Sequence, residues 1–138
     1  MKRGIASGQL IGGCLSMVVS LLGTDYFGEV SGKILFLEEI GEKPFRIDRM
    51  LTHLRNAGVF DHISGILFGD FYNCWNDDDT ESFTFEEVVH QILEDYDFPV
   101  LAGLPFGHAK SKMTLPLGIQ VELDADKAML TFLEEAVT

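Results

Sequence analysis

Basic residues are scarce in this sequence. Ten lysines and arginines stand against 22 aspartates and glutamates, a formal charge of −12. Such a chain repels phosphate backbones and anionic headgroups, which argues against nucleic acid or an anionic membrane as partner. A cationic or zwitterionic ligand is compatible with the charge, and so is a plain solvated surface. Cysteine is nearly absent. Cys14 and Cys74 form no CxxC pair, so the sequence offers no redox or zinc motif. Two free thiols are expected. Long apolar runs are missing too. Met17 to Leu22 falls far short of the roughly 20 residues of a membrane span. Lys2 and Arg3 resemble the start of a signal peptide, but Gly8, Gln9, Gly12 and Gly13 break up the stretch where its apolar region would lie. A cytoplasmic location is therefore the expectation. HExxH, Walker, dinucleotide and GxSxG patterns are all absent. No cofactor or metal is expected. Asp77, Asp78 and Asp79 lack the alternation and glycine of an EF-hand loop and read as a solvated acidic turn.

What is present suits one domain with a genuine core: 138 residues, 46% of them hydrophobic. Gly12 and Gly13 suggest an exposed turn leading into a short helix at Leu15, Val18, Val19 and Leu22, closed by Gly23. Lys33 to Leu37 is apolar without alternation, the pattern of a strand covered on both faces. Pro44 opens an amphipathic helix with Ile47, Leu51 and Leu54 on one side and Gly58 beyond its end. Ile63 to Phe68 reads as a second buried strand, followed by a polar loop over Asp70 to Ser82. Thr84 and Glu87 form a capping-box pattern, with Phe83 and Val88 placed as a staple. Phe98 to Leu104 is a third strand. Gly118 to Leu123 and Ala128 to Leu133 read as a hairpin about Asp124 to Lys127. This order gives an α/β fold with a mixed sheet and flanking helices.

Two residues stand where chemistry is expected. Glu38 ends the apolar strand, and ligands bind at strand ends in α/β sheets. His108 follows the apolar Phe98–Leu104 run, with Pro105 and Gly107 shaping its path. His53 and His90 lie in helices and His62 in a turn. A histidine at a strand end acts as a general base when a carboxylate fixes its tautomer. No nucleophile joins them. Ser16 belongs to the first turn of a helix, Ser7, Ser64 and Ser111 have no better setting, and neither cysteine reads as reactive. Phe71 to Trp75 reads as core or interface.

The segments GQLIGGCLS, KILFLEEIGEKPFRIDRMLTHLRNAG, GILFGDF, PVLAGLPFGH and LPLGIQVEL occur in this order from Gly8 to Leu123. Through them the sequence closely resembles the C-terminal domain of the LD-carboxypeptidase family, which also contains the microcin C immunity peptidases. The resemblance implies a swivelling β/β/α-like domain over residues 1–138. It implies a Ser-Glu-His triad whose serine and oxyanion donors belong to an N-terminal nucleophile domain, absent here. Glu38, the first acid of LFLEEI, matches the family glutamate, and His108 the family histidine. The implied reaction is hydrolysis of an L,D-amide bond in murein tetrapeptide or a related peptide. The implied partners are that N-terminal serine-bearing domain and the peptide. Alone, the chain is expected to be inactive. Two positions depart from the family: Cys14 stands where asparagine usually follows the glycine pair, and Glu39 where aspartate is commoner. A non-catalytic interaction domain, self-associating as a homodimer, is the alternative. A third reading binds a cationic ligand on an acidic surface at Glu38, Glu39 and Glu42.

Overall fold

The computed structural model describes residues 1–75, 82–108 and 112–137. Its elements are β1 (Ile5–Cys14), α1 (Leu15–Ser20), β2 (Ile34–Ile40), α2 (Pro44–Asn56), β3 (Gly65–Tyr72), α3 (Phe85–Leu93), β4 (Val100–Ala102), β5 (Gln120–Asp124) and β6 (Met129–Phe132), with a 3-10 turn at Val59–Asp61. Six strands form one sheet in the order β4-β3-β2-β1-β5-β6. Neighbours from β1 to β4 run parallel, while β1 with β5 and β5 with β6 run antiparallel. The expected mixed α/β sheet is the one observed. Lys2 bridges Val100, which draws the start of the chain to the β4 edge and curls the sheet. Among the described residues no helix is long and apolar enough to cross a membrane.

Residues 5–14 correct the sequence reading. They form the long strand β1, and Gly12 and Gly13 lie within it, not in an exposed turn. Leu10 to Cys14 pair with β2, while Ile5 to Gln9 pair with β5. Gly12 has φ +135°, and a Cβ there would stand 1.9 Å from the Phe36 carbonyl oxygen. The glycine serves close approach of two backbones. Strand β3 also runs past Phe68 to Tyr72, into the expected loop. The expected third strand contracts to three residues.

The central strands bury both faces. Leu35, Leu37, Ile66, Phe68 and Val100 face one cluster, which α2 completes with Ile47, Leu51 and Leu54 and α3 with Val88, Val89, Ile92 and Leu93. Alternate residues Ile34, Phe36, Leu67 and Leu101 face a second cluster with Leu10, Val121 and Leu123. Among the described residues no helix covers this second face. Phe106 fills it, with Leu104, Met113, Leu115 and Ile119 packed around. The described residues between β4 and β5 are thus the lid of the second core. Phe71 and Trp75 are partly buried and pack against the first cluster, which fits the core reading.

Both ends of α3 find side-chain partners. The Thr84 Oγ1 accepts from the Glu87 N–H, and the Thr84 N–H donates to Glu87 Oε2 at 2.8 Å, the full capping box. Phe83 stays exposed. Lys2 Nζ donates to the carbonyls of Glu94 and Tyr96, just past the end of α3. Cationic donors suit a helix C-terminus, where carbonyls lack partners.

Gly12→Ala should destabilise the chain by about 3–5 kcal/mol or prevent folding, because the backbone of β2 stands where the methyl must go; urea unfolding measures it. Thr84→Ala should remove about 1 kcal/mol. The bonds from Thr84 hold the Glu87 carboxyl below its ordinary range. Its contribution is therefore complete above the ordinary carboxylate value and is lost as pH falls through the lowered one. Thr84→Ala keeps the backbone N–H that bonds Glu87 and loses only the hydroxyl, so that part of the acid dependence should shrink without vanishing in urea midpoints measured against pH.

Candidate active site

Side chains alternate along a pleated strand. Glu38 therefore shares a face with Ile34 and Phe36, the face closed by the β4–β5 segment. Leu37 pairs with Phe68 and Glu39 with Phe71, so Gly69 and Asp70 together oppose Glu38. Such a bulge interrupts pairing and re-aims side chains. Glu38 is only 8% exposed, less open than its place at a strand end suggested.

The lid brings His108 to it. Phe106, 3% exposed, meets Phe36 edge to face with centroids 5.5 Å apart. The Asp70 N–H donates to the Phe106 carbonyl at 2.9 Å. Two residues on, His108 Nδ1 lies 2.7 Å from Glu38 Oε2, across 70 positions of sequence. The imidazole side chain remains 44% exposed. An ionised carboxylate only accepts, so Nδ1 carries the proton and donates. Nε2 then presents its lone pair outward, and no described residue bonds to it. A ring so held can take a proton from an approaching hydroxyl.

The neighbouring acid does different work. Glu39, 2% exposed, points to the helix face. Its carboxylate accepts from the Ser16 N–H at 2.7 Å, the Ile40 N–H at 2.9 Å and the Cys14 thiol at 3.2 Å. It ties the end of β1 and the start of α1 to β2. The sequence offered no sign of this beyond two adjacent acids, which a strand must send to opposite faces. The acidic-surface reading is thereby overturned: Glu38 and Glu39 are buried, and Glu42 pairs with Arg46 at 3.2 Å. Burial, reinforced by Glu39 and partly offset by Ser16, pushes the Cys14 thiol above its ordinary value. Both cysteines are free. Ser16 Oγ lies against Cys14 Sγ, and no described serine bonds to His108. His53, His62 and His90 are exposed and apart from Glu38 in the hydrogen-bond pattern. Asp77, Asp78, Asp79 and Ser111 lie outside the described residues. Among the described residues, no group of three or more His, Cys, Asp or Glu side chains gathers as a metal site.

The family profile of the LD-carboxypeptidase C-terminal domain matches residues 7–123. The chain belongs to that family. A Synechocystis sp. protein named as a carboxypeptidase is 39% identical to this LD-carboxypeptidase C-terminal domain over 132 residues, 96% of the chain and 44% of the relative. The crystal structure of a muramoyltetrapeptide carboxypeptidase from Oxalobacter formigenes superposes with a TM-score of 0.83 at 33% identity, over 93% of this chain and 45% of that one. The microcin C7 self-immunity protein, from Escherichia coli, gives a TM-score of 0.86 at 27% identity, over 99% of this chain and 40% of its own. The domain spans about two fifths of the length of the curated relatives it matches.

Iodoacetamide should alkylate native Cys14 more slowly than an unfolded thiol near neutral pH, because only the thiolate reacts. Glu39→Gln removes the nearby negative charge and should speed that reaction, read by peptide mass spectrometry.

Proposed function

We propose that this domain supplies the general base, His108, and its orienting carboxylate, Glu38, to a Ser-Glu-His peptidase whose serine lies on a separate N-terminal domain. The substrate is an amide between an L- and a D-residue, as in murein tetrapeptide or a related peptide. One observation carries the reading: a 2.7 Å contact from Nδ1 to a buried carboxylate, with the rest of the ring open. The O. formigenes relative, described as acting on a muramoyl tetrapeptide, supports the substrate class. A cytoplasmic setting goes with that substrate.

The chemistry follows from the geometry. A serine hydroxyl meeting Nε2 gives up its proton as its oxygen attacks the amide carbon. The imidazolium so formed is stabilised by Glu38, which keeps its charge throughout. The ring then returns the proton to the leaving amine, the terminal D-residue, and an acyl-enzyme remains. Water attacks that ester by the same route, and the serine is restored. His108 and Glu38 supply only the proton relay. With no serine bonded to His108 among the described residues, the chain alone should not turn over.

In the enzyme completed with a serine-bearing domain, His108→Ala should lower kcat on the order of 10⁴-fold or more, and Glu38→Ala somewhat less. D-alanine release measures both. Undiminished release by His108→Ala would refute the assignment.

A second reading, self-association or docking to another protein, draws on one feature. Met17, Leu21 and Tyr26, on α1 and the turn after it, are apolar and exposed, Tyr26 at 84%. Exposed apolar patches commonly mark interfaces. Sedimentation equilibrium should then show a dimer that Tyr26→Lys dissociates; a strict monomer at high concentration rejects it.

A further inference from the structure

Two glycines border the residues that bring His108 to Glu38: Gly69 lies under Phe106, and Gly107 lies against Glu38. Gly69 is the first of the two β3 residues opposing Glu38, and it lies against Phe106. A Cβ at Gly69 would stand 2.4 Å from two carbons of the Phe106 ring and 2.5 Å from the Phe106 carbonyl oxygen. That carbonyl is anchored by the Asp70 N–H at 2.9 Å, and the ring is buried, so neither has room to retreat. Gly107 comes directly after Phe106, with φ +112°. A Cβ there would stand 2.8 Å from Glu38 Oε2 and 3.0 Å from Glu38 Cβ. Oε2 is the oxygen that meets His108 Nδ1. Crowding is not general along this segment. Gly103 also has positive φ, +85°, yet nothing lies within 4 Å of its added Cβ.

We infer that Gly69 and Gly107 are positioning residues that set the separation of His108 from Glu38. Gly69 lets Phe106 lie against the β3 bulge and so fixes the height of the lid. Gly107 leaves the space in which Oε2 reaches Nδ1. A methyl at residue 107 needs ordinary van der Waals distance, so the carboxylate must yield by about 0.6 Å. A shift of that size stretches a 2.7 Å contact past good hydrogen-bond length. The consequence for turnover rests on the proposed function; the consequence for the imidazole does not.

The test reads the His108 ring by ¹⁵N-edited NMR in the 138-residue chain. The parent should hold neutral His108 as the Nδ1–H tautomer, with its ring proton far downfield. Gly69→Ala and Gly107→Ala should each lower the ratio of Nδ1–H to Nε2–H tautomer by about tenfold or more, since a charge-assisted hydrogen bond is lost. Gly103→Ala, strained in its backbone but free of contacts, should lower Tm and leave the ratio unchanged. Parental ratios in both Gly69→Ala and Gly107→Ala would overturn the inference. One measurement needs no variant to fold: parental nuclear Overhauser contacts between the Gly107 α-protons and the Glu38 side chain are required, and their absence overturns it equally. In the completed enzyme the two variants should lose about 10²-fold in kcat at little-changed KM, as misplacement does. If His108→Ala were fully active while the glycine variants shifted the tautomer, the proposed function would fall and the positioning role would stand.

Discussion

Residues 34, 36 and 38 of β2 face the lid, and residues 35, 37 and 39 face the helices, because side chains alternate along a pleated strand. Everything at the site depends on that parity. A slip of one residue would turn Glu38 toward α1 and Glu39 toward His108. The parity is enforced by apolar residues on both sides, Ile34 and Phe36 on one and Leu35 and Leu37 on the other, all under 10% exposed. Close-packed cores tolerate no such exchange.

The second core explains why a histidine is there at all. Helices cover one face of the sheet, and the other is sealed by the described residues between β4 and β5. Phe106 is the plug. Once its ring is buried against Phe36 and its carbonyl is held by Asp70, the path of the next two residues is nearly decided. His108 thus reaches Glu38 as a by-product of core closure. Glu38 stands on a central strand, and His108 stands on irregular chain that the buried Phe106 anchors.

Two adjacent glutamates show how one sequence doublet yields two roles. Glu38 meets an imidazole at a half-open surface, and Glu39 satisfies backbone donors where β1 passes into α1. Cys14 donates to Glu39 and is held in its thiol form. Its contacts therefore lie with Glu39 and Ser16, apart from the pair formed by His108 and Glu38.

The sequence by itself determined the helices, the mixed α/β class, and the candidate pair. Helix α2 was readable because Ile47, Leu51 and Leu54 repeat at helical spacing between Pro44 and Gly58, and α3 because Thr84 and Glu87 form a local capping box. Strands β2 and β3 were readable as unbroken apolar runs. Strand β1 was not, because its small residues carry no apolar alternation, and glycines needed for close approach look like glycines of a turn. The meaning of Gly69 was hidden for the same reason: a residue chosen for what it lacks leaves no local mark. Family likeness pointed to Glu38 and His108 separately. Only the tertiary structure decided that they meet, because a hydrogen bond across 70 positions depends on strand parity, a bulge and a buried phenylalanine acting together.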